Sequence, residues 1–245
     1  MPDDEHPWLR VKAWVARHPD LELWLRWVSP AFLYSALDAR LSFDEALREA
    51  LSKRLPHYAR RRTVCLGGAA LLLFANQVIT GVLLTVYYKP ATEAALASLQ
   101  FVEQQTTLGF LIRQMHAWGG NLLILLLLLH MGKVFFNRAY RHPREMTWLS
   151  GALLLLVALA FGFTGYLLPW DQTAYWGTIS GTELIGQVPL VGHLLLTLLW
   201  GGVKVSELTI SRFFAVHCLV LPWIILPLLA AHFAMIRRLG ISEPL

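Results

Sequence analysis

FLIRQMHAWGGNLLILLLLLHMGKVFFN, residues 110–137, is an apolar run interrupted by two histidines. It is longer than the about 20 residues an α-helix needs to cross a bilayer. An ionisable side chain inside such a span is costly and marks a functional site by default. His116 and His130 are 14 residues apart. At about 100° per residue the second ring returns to within roughly 40° of the first, about 21 Å further along the axis. Both therefore sit on one face, near opposite ends of one helix.

A second run, FFAVHCLVLPWIILPLLAAHFAMI at 213–236, repeats the arrangement with His217 and His232, 15 residues apart. Their offset is roughly 60°, still one broad face. If the two helices run the same way, the histidines pair at two depths. Neutral imidazole binds iron, and haem iron takes such axial ligands. The expected sites are therefore two bis-histidine haem b centres, His116 with His217 and His130 with His232. A core histidine bonded to its neighbours would explain any one of these residues more simply, but not all four together.

Two further apolar runs complete an all-α, polytopic bundle of four transmembrane helices, at about 64–88, 110–137, 148–168 and 213–236. The histidine-free runs carry glycines with the same spacing, Gly67 and Gly81 on the first and Gly151 and Gly165 on the third. Glycine lets a flat ligand approach a helix backbone closely. These four positions are expected to clear the two haems, with Gly81 and Gly165 at one depth and Gly67 and Gly151 at the other.

Lys and Arg set the orientation. Thirteen fall in 40–62, 133–144 and 237–238, against four in 87–113 and 169–212. The excess marks both termini and the 138–147 connection as cytoplasmic. This is the n side, and His116 and His217 then lie toward the opposite, p side. The expected location is a bacterial cytoplasmic membrane.

The composition agrees, with 56% hydrophobic residues in a chain of 245 and a mean hydropathy of +0.50. The net charge of +5 lies beside spans and is no nucleic-acid signal. No signal-peptide pattern opens the chain, so the first span is expected to direct insertion. Cys65 and Cys218 make no disulfide framework, and there is no C-x-x-C-H haem attachment motif. Residues 1–41 form an aromatic and basic extension with Trp8, Trp14, Trp24 and Trp27. The main domain is expected at 42–245. It opens with an amphipathic surface segment, Ser42–Leu55, whose Ser42 and Glu45 suit a capping box. The long 169–212 connection is expected to be functional. Its apolar piece Val191–Trp200 is too short to span and suits the membrane interface.

From about Ser42 to Leu245 the chain resembles the cytochrome b family, in its split, b6-like form. The strings that carry the resemblance are YYKP (87–90), LIRQMHAW (111–118), PREMTW (143–148), GYLLPWDQ (165–172) and the terminal RRLGISEPL. The resemblance implies a subunit of a quinol-oxidising bc or b6f-type complex. Electrons would pass from a p-side quinol site through two bis-His b haems to an n-side quinone site, coupled to proton translocation. It also implies partners: a subunit IV-like C-terminal half of cytochrome b, a Rieske iron–sulfur protein, and a c-type cytochrome or other acceptor, in a dimeric complex. Cys65, in the string TVCLGG, resembles the family cysteine that holds an extra c-type haem through one thioether bond. Arg113, Lys133 and Arg237 match basic residues at haem propionates and the n-side quinone pocket. Tyr175, Trp176, Gly177 and Thr178 match the wall of the quinol pocket. The chain departs from the b6-like pattern at Ala117, where an arginine follows the histidine, and at Gly177, where alanine is usual. A di-haem b anchor of a quinone-linked dehydrogenase or hydrogenase would explain the histidines but neither PWDQ nor Cys65. A haem-free membrane scaffold is the remaining alternative class.

Overall fold

The computed structural model describes Trp14, Arg17 and residues 66–240. The chain falls into two compact units, Met1–Pro56 and His57–Leu245, and the account below concerns the second. The expected 1–41 extension (apart from Trp14 and Arg17), the 42–55 amphipathic segment and Cys65 lie outside the described residues.

The described residues form helices and turns without a strand. In chain order the helices are α1 (Leu66–Thr85), α2 (Ala95–Gln105), α3 (Gly109–Phe136), α4 (Glu145–Leu167), α5 (Gln172–Gly186), α6 (Gly192–Trp200) and α7 (Glu207–Ala215). A π-helical turn, Val216–Val220, follows, and α8 (Leu221–Leu239) continues from it. Four stretches are long and apolar enough to cross a membrane: α1, α3, α4 and the continuous Glu207–Leu239 run. At most 17% of any span's apolar window is buried. Large side chains such as Leu72, Trp118 and Trp223 point outward. An apolar solvent suits that surface, because in hydrocarbon only a helix satisfies all its own backbone groups.

Backbone packing pairs α1 with α3 and α4 with α8, and α3 also touches α4. The two histidine helices, α3 and α8, are not packed backbone against backbone. Each leans instead on a glycine-bearing helix, and a gap remains between them.

The fourth span begins at Ser206, earlier than the apolar run suggested. Ser206 and Thr209 form a capping box, which satisfies exposed N–H groups at the helix start. Glu207, Ser211 and Arg212 mask this turn in hydropathy, but Thr209, Ile210 and Phe213 on its other face are buried. The π turn has a local cause. Pro222 has no N–H for the Cys218 carbonyl, and its ring crowds that oxygen. The preceding turn opens, and the Leu221 N–H bonds Val216 O five residues back. A π turn takes up an extra residue. His217 lies within this turn, so the 15-residue step to His232 includes part of it.

The 169–212 connection holds two helices, α5 and α6. Asp171 caps α5, its Oδ1 accepting from the Ala174 N–H at 2.7 Å. Trp200 Nε1 donates to Thr182 Oγ1 at 2.9 Å and ties α6 to α5. The 89–109 connection contains α2, which packs on α3.

Candidate functional site

His116 on α3 and His217 in the π turn face each other across the gap, with ring centroids 6.3 Å apart. His232 lies at the level of His130: a Cβ built on Gly151 would lie 3.2 Å from His232 Cε1 and 4.0 Å from Cε of Met131, the residue after His130. First histidine meets first and second meets second, so α3 and α8 run in the same direction.

The glycines complete the pattern. A Cβ built on Gly81 would lie 3.1 Å from His116 Cε1, and one on Gly165 would lie 2.8 Å from His217 Cε1. At the other depth, Gly67 stands 3.3 Å from His130 Cε1 and Gly151 stands 3.2 Å from His232 Cε1, measured the same way. Each glycine thus meets one histidine, at the depth its spacing assigned. What it admits directly is the edge of the imidazole. This pairing also makes α1 antiparallel to α3, and α4 antiparallel to α8.

Three histidines are held from behind by a hydroxyl. Thr80 Oγ1 lies 2.9 Å from His116 Nδ1, Thr164 Oγ1 3.1 Å from His217 Nδ1, and Ser150 Oγ 2.8 Å from His232 Nδ1. All three hydroxyl residues are buried. They went unnoticed in the sequence reading, although the signal was present: a Ser or Thr directly precedes three of the four glycines. With Nδ1 engaged on the outer helix, Nε2 is the nitrogen left to bind a metal.

These residues fit a haem. An imidazole centroid lies about 1.2 Å from its nitrogen and a metal–imidazole bond is about 2.0–2.1 Å, so two imidazoles that shared one metal would have centroids up to about 6.4 Å apart. The observed 6.3 Å matches that spacing. Among the described residues, no group of three or more His, Cys, Asp or Glu could hold a metal ion. Each pair offers only two nitrogens, so a metal here must bring its other ligands with it, as an iron porphyrin does.

Other expected site residues are placed as follows. Arg113 pairs with Glu103 of α2, and Gln114 Nε2 also approaches Glu103 Oε1 at 3.3 Å. Lys133 lies in the last turn of α3, near His130. Arg237 lies in the last turn of α8. Arg144, which the sequence reading did not single out, donates to Leu239 O at 3.3 Å. Its Nε and Thr147 Oγ1 are buried without a hydrogen-bond partner, one to two turns before Gly151. Tyr175, Trp176, Gly177 and Thr178 are successive residues of α5, about 100° apart around its axis. Tyr175 contacts the rings of Trp170 and Trp176, and Trp176 is exposed. Gly177 abuts Tyr166, and Thr178 is fully buried.

Comparison with known proteins gives a consistent picture. Residues 52–240 match the family described as Cytochrome b/b6/petB. Cytochrome b6 of Heliobacterium mobile is 43% identical over 191 residues, covering 78% of this chain and 90% of the relative. Cytochrome b6 of a Picosynechococcus species is 37% identical over 218 residues, covering 89% and 98%. A solved chain from "Hyperthermophilic respiratory Complex III" superposes with a TM-score of 0.73 at 33% identity, covering 86% of this chain. This chain spans 56% of the length of that one.

Proposed function

The chain belongs to the cytochrome b/b6 family, and on that premise we propose that it is the electron-carrying membrane subunit of a quinol-oxidising b6f/bc-type complex. One observation carries the reading: two histidine pairs at two depths, each backed by glycines, on parallel helices that stand apart. His116 and His217 would hold one b haem toward the p side, and His130 and His232 the other toward the n side. When bound, the two haems supply one-electron redox chemistry at both depths.

The chain's own residues do the rest. The hydroxyls of α1 and α4 orient three imidazoles. The apolar spans exclude water between the two levels. On the p side, Tyr175 and Trp176 of α5 would face a quinol. Thr178, buried beneath them, supports that wall from inside. On the n side, Lys133 and Arg237, joined by Arg144, supply positive charge for haem propionates and a quinone. Arg113 is proposed to serve the p-side propionates in the same way while anchored by Glu103. Cys65, through its resemblance to the family cysteine in the string TVCLGG, is proposed to carry a further c-type haem. Because the match runs over 90–98% of the length of cytochrome b6 relatives, a subunit IV-like protein is proposed as the partner. A Rieske protein takes the first electron and passes it toward a c-type cytochrome or other acceptor. The positive-inside pattern supports a reading in which both termini face the n side of a bacterial cytoplasmic membrane.

Purification of the native complex tests this. The pyridine haemochrome should give two b haems per copy of the chain, with a Rieske protein and a subunit carrying the remaining helices co-purifying. A preparation with no b-type spectrum would sink the reading, and one that brings a dehydrogenase or hydrogenase in place of the Rieske protein would favour the anchor alternative.

A further inference from the structure

The three hydroxyls that touch histidines each have a second contact that settles where their proton goes. Thr80 Oγ1 donates to Asn76 O at 2.6 Å. Thr164 Oγ1 donates to Ala160 O at 2.7 Å. Ser150 Oγ donates to Thr147 O at 2.8 Å. A hydroxyl has one proton to give. Each is committed to its own helix backbone, so toward the imidazole each oxygen acts as acceptor. Nδ1 must then carry the ring proton, and the Nε2 lone pair is free. In the amide orientation that satisfies both its ends, Gln77 Nε2 donates to His116 O at 2.9 Å and stands 3.3 Å from His116 Nδ1, while its oxygen accepts from the Gly120 N–H at 3.0 Å. Thr80 Oγ1, at 2.9 Å, is the nearer partner of Nδ1.

The fourth place differs. Gly67 stands to His130 as Gly81 stands to His116, with Nδ1 3.7 Å from the built Cβ in both cases. The residue before Gly67 is Leu66, which has no hydroxyl. Among the described residues, the His116/His217 pair thus meets two hydroxyl acceptors of this kind and the His130/His232 pair meets one.

We infer that Thr80, Thr164 and Ser150 are positioning residues that fix the ligand tautomer and strengthen the donor nitrogen, and that leucine at position 66 sets the two centres apart in redox potential. An oxygen accepting from Nδ1–H raises the basicity of the ring as a ligand. A more basic ligand favours the oxidised metal, so two such bonds hold the His116/His217 centre at the lower potential. The inference rests on the paired-haem reading above.

Spectroelectrochemical titration of the purified complex tests it, reading the midpoint of each b component. Thr80→Val and Thr164→Val should each raise the midpoint of the same component, and Ser150→Ala should raise that of the other. Thr164→Ser should restore the original value. Leu66→Thr should lower the component that Ser150→Ala raises and leave the first in place. The inference is overturned if the hydroxyl-free variants keep their haems with both midpoints unmoved. It is overturned equally if Thr80→Val and Thr164→Val move different components. Should a valine variant shed its haem, Leu66→Thr decides, since it removes no hydroxyl: unchanged midpoints there refute the proposal. Absence of b haem from the unaltered complex would instead refute the paired-haem reading, so the two failures are distinguishable.

Discussion

Gly165 of α4 stands directly against the imidazole of His217: a methyl group at that glycine would lie 2.8 Å from Cε1. The corresponding distance at Gly67 and His130 is 3.3 Å. The closer contact leaves no room, because the ring is also held by Thr164 and has Phe161 on another side, centroids 5.3 Å apart. Overpacking a tight interior costs about 1–3 kcal/mol. Gly165→Ala should therefore displace His217 and shift or bleach one b component while sparing the other. Gly67→Ala should be milder and act on the other component. Difference absorbance and potentiometry on the two variants check this. Simultaneous loss of both haems in each variant would show that the glycines serve helix packing alone.

The pairing of histidines makes a separate claim. His116→Leu and His217→Leu should delete one and the same b component, and His130→Leu and His232→Leu the other. The geometry leaves no exchange between levels, since α3 and α8 run in the same direction. If His116→Leu and His232→Leu removed the same component in a redox titration, that parallel arrangement would be wrong.

Cys65 is tested on a denaturing gel. A haem held by a thioether survives denaturation, whereas one held only by histidine nitrogens does not. Peroxidase staining should show a haem band at this chain's mass. Cys65→Ser should abolish it and leave the two b components in the native spectrum. A band that persists in the serine variant would remove Cys65 from the site.

The ion pair between Arg113 and Glu103 separates two roles of one arginine. Both side chains are part-exposed, at 27% and 20%, so the pair contributes about 1 kcal/mol or less to holding α2 on α3. Glu103→Gln should lower thermal stability slightly and leave both haem midpoints in place. Arg113→Gln should cause the same small loss and also move the p-side midpoint, as expected if the guanidinium faces a propionate. Equal, purely thermal effects of the two substitutions would leave Arg113 a structural residue only.

Asp171 is expected to matter through the helix it caps. Asp171→Ala removes the acceptor for the Ala174 N–H and should cost about 0.5–2 kcal/mol. Asp171→Asn should recover most of it. The loss would be read as a lower unfolding temperature and greater protease sensitivity within 171–200. No change in either measurement would mean that the cap is redundant with the packing of α5 on α4.

How much of this was legible in the chain follows from the range of the forces involved. Span number and type rest on local apolar content, because each backbone group in a bilayer must be satisfied within its own helix. Residue spacing alone placed His116 and His130 on one face, and it matched Gly81 and Gly165 to one depth and Gly67 and Gly151 to the other. A helix converts separation in sequence directly into depth and angle. The 15-residue step from His217 to His232 was readable as a number, but its resolution into a π turn before Pro222 was not. That turn depends on how a crowded carbonyl relaxes within a packed helix. The start of the fourth span at Ser206 was hidden because Glu207, Ser211 and Arg212 dilute an apolar face that becomes visible only when α7 packs on α4. Most of all, the bonds from Thr80, Thr164 and Ser150 to three imidazoles join different helices, 36, 53 and 82 residues apart in sequence. The Ser/Thr–Gly dipeptides are written in the chain. Their partners emerge only once antiparallel neighbours close to within hydrogen-bond distance, because a hydrogen bond acts over about 3 Å and sequence position says nothing about such proximity.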